Sequence, residues 1–215
     1  MTLVSKKLVL LGGGGHCKSV LDTLLKTKEY DEIVITDPKI LAGTEVMGCK
    51  VVGNDDVLAE LFAKGYTKAF ITAGDVGLPN PREKMVKYAQ DIGFQFPNII
   101  DPSAYISESA NIGEGNYIGK KAIINVGVKV GNHCIINTAS IIEHEAIIGD
   151  VCHVATGAIV LGEVIIGDRC FVGAGSTIVQ CKKLGNDVKI GAGAVVTDNL
   201  PDNCMAVGVP ARIIK

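Results

Sequence analysis

The chain has 215 residues, enough for one or two domains, and its 47% hydrophobic composition is ample for folded cores. With 21 basic and 23 acidic residues the net charge is -2, too balanced to point to nucleic acid or a membrane surface as partner. The chain has no Trp to offer as a base-stacking platform. No apolar run approaches the ~20 residues of a membrane-spanning helix.

The first segment with structure to predict is Lys7 to Leu11, a short apolar run. It leads into Gly12, Gly13, Gly14, Gly15 and His16, and then into the helix-like stretch Cys17 to Thr27. This order reads as strand, glycine turn, helix. Glycines let a backbone come close to a ligand, and a helix N-terminus offers unpaired amides. A second strand, Glu32 to Thr36, ends in Asp37, about where a doubly wound unit places its ribose-binding acid. The same turn also serves simply to pack a helix on a strand, so these residues alone leave ligand binding open. Asn54 to Lys64 reads as a helix with Asn54 or Asp55 as its N-cap. A third strand, Lys68 to Thr72, leads into Ala73, Gly74 and Asp75, and a helix from Arg82 to Ile92 follows, with Arg82 read as solvated. Strands alternating with helices predict a small parallel sheet.

The pattern then changes. From Ile106 an aliphatic residue recurs every six positions, at Ile112, Ile118, Ile124, Val130, Ile136, Ile142, Ile148, Val154, Val160, Ile166, Val172, Ile178, Leu184, Ile190 and Val196. For a chain with a little under a third Ile, Leu and Val, such a run has a chance probability on the order of 10⁻⁸. Four residues after a beat the residue is usually small, as at Ala122, Cys134, Ser140, Ala146, Cys152, Ala158 and Cys170. Neither a helix nor a simple alternating strand gives this spacing. A second period of three hexads carries Gly113, Gly131, Gly149, Gly167 and Gly185, each followed by Glu, Asn or Asp. The glycine is expected to supply a tight or positive-φ corner of a triangular prism. Its coils are expected to stack as parallel strands about 4.8 Å apart with the beats inside. Pro97 and Pro102 bracket the first hexad, which divides the chain into residues 1–97 and 98–215.

Cys134, Cys152 and Cys170 share the long period and read as one ladder. Seven cysteines without a secretory signal point to reduced, inward-facing thiols in the cytoplasm rather than to a disulfide framework. Of the four histidines, His144 is followed by Glu145, and a carboxylate beside a neutral imidazole suits it to take a proton near pH 7. From spacing alone His144 is equally an idle residue at a corner. Cys152 beside His153 leaves a thiol acyl relay as a sharper alternative.

The glycine turn ending in His16, the hexad repeat, Glu143-His144-Glu145, His153-Val154-Ala155-Thr156-Gly157-Ala158 and the closing Val207-Gly208-Val209-Pro210-Ala211 together resemble the hexapeptide-repeat sugar acyltransferases. These are the sialic-acid O-acetyltransferases and the nucleotide-aminosugar (bacillosamine-type) N-acetyltransferases. The resemblance covers essentially the whole chain. It implies an α/β Rossmann-like N-terminal domain that takes the sugar or nucleotide, followed by a left-handed parallel β-helix. It also implies a homotrimer in the cytoplasm, with acetyl-CoA as co-substrate in the groove between neighbouring prisms. His144 is then the general base and Glu145 the residue that raises its basicity. His153, Ala174 and Ala192 meet acetyl-CoA, the alanines through backbone groups beside the pantetheine arm. Gly14, Gly15, His16, Asp37 and Gly74 meet the nucleotide-linked sugar. Related aminosugar enzymes carry Asn after the third-strand glycine, where this chain has Asp75. Zinc-binding prism enzymes of the gamma carbonic anhydrase class place two histidines five residues apart, a spacing not found here, so no metal is expected. The competing class is a non-catalytic trimeric β-helix that binds or assembles.

Overall fold

The structure, a computed structural model, describes residues 5–74 and 81–215. They form two compact units, one of residues 5–74 and 81–99 and the other of residues 100–215.

In the first unit β1 (Lys7–Leu11), β2 (Glu32–Thr36) and β5 (Lys68–Ile71) fall where the apolar runs predict. The sheet order is β3-β4-β2-β1-β5, with β1 at the centre between two parallel partners. Leu8 to Leu11 are fully buried. Strand residues alternate between faces, so successive leucines and valines on β1 serve opposite sides of the sheet. Val9 and Leu11 join Leu58 and Leu61 of α2 (Leu58–Ala63) and Val86 and Ala89 of α3 (Arg82–Ile92) in one apolar cluster. The helix expected from Asn54 begins as a 3-10 turn, Asp55–Val57, before α2. Asn54 is its cap, its side chain accepting from the Asp56 amide at 3.2 Å.

Two strands escape the sequence pattern. β3 (Glu45–Val46) and β4 (Cys49–Gly53) form an antiparallel hairpin, and β4 joins β2 in parallel. The turn residues Met47 and Gly48 both have positive φ, 51° and 82°, the requirement of a tight type I′ hairpin. The usual signal for that turn is Asn or Asp before Gly, and here Met stands in its place.

The second unit is a three-sided parallel β-helix built of two-residue strands. Every beat from Ile106 to Val196 is the second residue of such a strand. Those from Ile106 to Ile178 each pair with the residue 18 further on, as Ile124 with Ile142 and Ile142 with Val160. The first face carries the outward row Tyr105, Ile123, Ile141, Ile159, Thr177 and Val195. The second carries Asn111, Lys129, Ile147, Ile165 and Lys183. The third carries Tyr117, Ile135, His153, Phe171 and Lys189. The beats and the small residues four positions later fill the interior as one continuous core. The final coil is two residues shorter, Lys189 pairing with Met205.

The corner geometry corrects one expectation. Gly113, Gly131, Gly149, Gly167 and Gly185 do not have positive φ. The left-handed residue at their corners lies two positions on, at Gly115, His133, Val151, Arg169 and Asp187. The glycines are required by stacking. A Cβ on Gly149 would lie 2.4 Å from Asp168 Oδ1 and 2.7 Å from the Gly167 carbonyl carbon of the next coil. The Asn or Asp that follows Gly131, Gly149, Gly167 and Gly185 reaches down one coil instead. Asn132 Oδ1 accepts from Glu114 N, Asp150 Oδ1 from Asn132 N, Asp168 Oδ1 from Asp150 N and Asn186 Oδ1 from Asp168 N, all at 2.7–2.9 Å. This ladder satisfies backbone donors that the turn leaves unpaired.

The Cys134, Cys152 and Cys170 thiols lie inside this edge and donate to the carbonyls of Gly149, Gly167 and Gly185 at 3.0–3.1 Å. All seven cysteines are free thiols, and Cys181 is exposed.

Candidate active site

His144 and Glu145 occupy the corner between the strands Ile141–Ile142 and Ile147–Ile148, the edge where the first and second faces meet. Glu145 is the left-handed residue of that corner, with φ 58°, and its amide donates to the Val126 carbonyl one coil below at 2.9 Å. Backbone hydrogen bonding thus fixes both Cα positions before any side chain contributes. His144 Nδ1 lies 3.6 Å from Glu145 Oε2, with the side chains 50% and 69% exposed. At that exposure and distance the two make a solvated contact rather than a desolvated ion pair. Below the pair, Asn125 Nδ2 donates to Glu143 Oε2 at 2.9 Å, and the same oxygen faces the His144 amide at 3.4 Å. Above it, the ring of His144 lies against Gly162: a Cβ built there would be 2.5 Å from both Cε1 and Nε2. Gly162 carries no motif of its own, although adding the 18-residue coil length to 144 points to it.

His153 lies elsewhere on the prism. It begins the strand His153–Val154 of the third face, which is opposite the edge that carries His144. The structure therefore does not bring the two histidines together within one chain. Its ring stands edge-on to Phe171, with centroids 5.2 Å apart. Asn137 Oδ1 accepts from the Thr138 amide at 2.8 Å, so its Nδ2 is the atom 3.2 Å from His153 Nε2 and donates to it. That leaves Nδ1 as the protonated nitrogen.

Ala174 and Ala192 are exposed on the edge where the third face turns into the first. They stack one coil apart, Gly193 N donating to Ala174 O at 2.9 Å. Around them Gly157, Gly175 and Gly193 have open space where a Cβ would stand. Over three coils this edge carries only the side chains of Thr156, Ala174 and Ala192 beside glycines, a surface along which an extended chain can lie.

Cys152 beside His153 in sequence is not beside it in function. Its Sγ points inward to the Gly167 carbonyl at 3.0 Å. Contacts with the Cys134 and Cys170 thiols, together with burial, hold its pKa well above the ordinary thiol range. A thiolate nucleophile there is disfavoured.

In the first unit the glycine turn has an internal clamp. Asp37 Oδ2 accepts from Gly13 N at 2.7 Å, and Oδ1 accepts from Lys39 N at 2.7 Å and Ile40 N at 3.1 Å. Thr72 Oγ1 donates to the Gly12 carbonyl at 2.5 Å. Gly12 needs its left-handed φ of 107°, and a Cβ there would lie 2.9 Å from the Ala73 amide nitrogen. Gly14 and Gly15 differ: neither has positive φ, and a Cβ on either meets no described atom within 4 Å. They open α1 (Gly15–Thr27), whose N-cap Gly14 provides no side-chain cap. His16 and Gly74 are neighbours, a Cβ on Gly74 lying 3.6 Å from that of His16. The structure thus gathers Gly14, Gly15, His16, Asp37 and Gly74 at the C-terminal ends of β1, β2 and β5, where open α/β sheets take ligands. Asp75 lies outside the described residues.

Arg82 corrects another expectation. It is 1% exposed rather than solvated, and its Nη1 donates to the Ala73 carbonyl at 2.9 Å, beside the C-terminal end of β5. A guanidinium at a helix start gives no sequence signal of burial, because the carbonyl that receives it is set by tertiary packing.

A family model described as the PglD N-terminal domain matches residues 7–89. The model for the bacterial transferase hexapeptide (six repeats) matches residues 145–180, and that for the hexapeptide repeat of succinyl-transferase matches residues 163–198. PerB from Caulobacter crescentus, solved in complex with CoA and GDP-perosamine, is 36% identical, with 100% of both chains covered and a TM-score of 0.89. The acetyltransferase domain of PglB from Neisseria gonorrhoeae, in complex with acetyl coenzyme A, is 31% identical over 98% of this chain and 100% of its own, also at 0.89. The chain spans 22% of the length of one curated relative, an uncharacterized protein of Acanthamoeba polyphaga mimivirus, with 32% identity over 120 residues. Fold and repeat define a hexapeptide-repeat transferase with a PglD-type N-terminal domain. The chain belongs to the nucleotide-sugar N-acetyltransferase family of PerB and PglB, which is the resemblance read in the sequence. Among the described residues no helix is long and apolar enough to cross a membrane.

Proposed function

We propose that this protein moves the acetyl group of acetyl-CoA to an amine of a nucleotide-linked sugar, with His144 as general base. The observation that supports the reading most directly is the His144–Glu145 pair, held on an exposed prism edge by coil-to-coil hydrogen bonds, in a chain alike over its full length to enzymes of this class. His144 Nε2 takes a proton from the amine as its lone pair attacks the thioester carbonyl. The tetrahedral adduct then collapses, the carbon–sulfur bond breaks, and the CoA thiolate leaves and is protonated. No acyl-enzyme is required, which agrees with the inward set of Cys152.

The two ligands suit separate surfaces. The bare edge around Ala174 and Ala192 suits the pantetheine arm of acetyl-CoA, and His153 on the adjoining face suits a further contact with that donor. The glycine turn with Gly14, Gly15, His16, Asp37 and Gly74 suits the nucleotide-sugar, residues 1–97 forming its domain. Because His144 and His153 point to opposite sides of one prism, a shared donor requires a neighbouring copy, in keeping with a homotrimer. Seven free thiols fit the reducing cytoplasm.

The test is thiol release from acetyl-CoA with UDP-, GDP-, dTDP- and CMP-linked sugars bearing amino or hydroxyl groups. One amino sugar is expected to support turnover, with His144→Ala lowering kcat about 10²- to 10⁴-fold while acetyl-CoA affinity is kept. Near-wild-type turnover by His144→Ala would remove the base. Failure to bind acetyl-CoA, read as absence of a thermal shift, would favour a non-catalytic assembly module.

A further inference from the structure

We infer that Gly162 is a positioning residue for the acetyl transfer: the absence of a side chain there is the seat that holds the His144 ring along the prism edge. The inference rests on the assignment of His144 as base.

Three kinds of glycine occur on this prism, and Gly162 belongs to neither of the first two. Gly157 and Gly175 adopt left-handed φ of 66° and 64° that favours glycine whatever surrounds it. Gly149 and Gly167 have no such φ but lie against the backbone of the next coil. Gly162 has no positive φ, so its backbone accepts any L residue. The three atoms nearest to a Cβ there are Cε1 at 2.5 Å, Nε2 at 2.5 Å and Cδ2 at 3.1 Å, all of the His144 ring. The first obstacle to a side chain at this position is therefore the imidazole and not the backbone.

An imidazole on an exposed edge has two choices, to stand out into water or to fold along the edge over the next coil. The folded choice places one side of the ring on Gly162 and leaves Nδ1 beside Glu145. Glu163 N donates to the His144 carbonyl at 3.0 Å, which fixes the height of Gly162 relative to the ring. A seated ring has fewer rotamers to lose when the acceptor arrives, and a misplacement of about 1 Å in a catalytic group can cost on the order of 10²-fold in rate. The closest contacts of a methyl group at 162 are with the far end of a rotatable side chain, so it displaces the ring before the coil.

Gly162→Ala is therefore expected to lower kcat about 10- to 100-fold, with acetyl-CoA affinity and melting temperature held near wild type. Turnover is measured with whichever amino sugar of the panel supports it. Without any acceptor, the Cε1–H proton resonance of His144 should move and that of His153 should not. In the His144→Ala background the same substitution should change residual turnover by less than about 2-fold, because the two residues act through one ring. Wild-type kcat in Gly162→Ala, an unmoved His144 resonance, or an equal loss in both backgrounds would overturn the seat while leaving the base in place. Unfolding of Gly162→Ala that persists in the double variant would also overturn it, by making the glycine a requirement of the prism. Near-wild-type turnover in His144→Ala alone would sink base and seat together.

Discussion

Arg169 and Asp187 show what one residue adds to a stack whose backbone already holds it. They lie one coil apart at the same corner, and the guanidinium grips the carboxylate with both arms, Nε to Oδ1 at 2.9 Å and Nη2 to Oδ2 at 2.8 Å. The hydrogen bonds and charge of Arg169 hold the Asp187 carboxyl below its ordinary pKa. A carboxylate lowered in this way contributes stability above its unfolded-state pKa of about 3.9, and that stability is lost as pH falls through the lower folded value. The pair is partly solvated, so its worth is about 0.5–1 kcal/mol. Asp187→Asn should thus melt about 2 °C below wild type at pH 7, and the gap should narrow below about pH 4 and close as pH falls through the lowered Asp187 value. Thermal melts across that range check this; a gap that stays constant or widens toward acid would show that the ion pair is not its source.

At the scale of the coil, the glycines separate two physical demands that look alike in sequence. Gly149 faces the backbone of the next coil, so Gly149→Ala must push two coils apart and should cost about 3 kcal/mol or more. Gly157 faces open space and has only a left-handed φ to defend, so Gly157→Ala should cost about 1 kcal/mol. Urea unfolding of the two variants decides the point, and equal losses would return both glycines to a conformational role. The hexad beat was legible because every beat faces the same core, so one selection acts sixteen times in register. The role of Gly149 was not, because a clash with residue 168 is set by stacking of coils and not by neighbours in the chain. The hairpin Glu45–Gly53 was hidden for a different reason, its turn being Met-Gly. His144 and Glu145 announced themselves by adjacency. Gly162, Asn137 and the buried Arg82 act through contacts 16 to 18 residues away or through tertiary packing, which adjacency does not reveal, although the coil length points from His144 to Gly162.

For the whole molecule, the decisive fact is that a triangular prism separates its edges from its opposite faces. If His144, on the edge between the first and second faces, and His153, on the third, meet one acetyl donor as proposed, two chains contribute them. Outward-facing isoleucines on the first and second faces, Ile123, Ile147 and Ile165, are partly exposed and suit the interface between prisms that this proposal needs. If each site takes His144 from one subunit and His153 from the next, variants lacking one or the other are each defective alone. Dissociated together in equal amounts and reassembled, they should recover about a quarter of wild-type turnover, because one site in four joins an intact His144 to an intact His153. Sedimentation of the reassembled protein as a trimer would accompany that recovery. Reassembly to a trimer with no recovery would mean that each chain completes its own site, and the groove between prisms would lose its place in the mechanism.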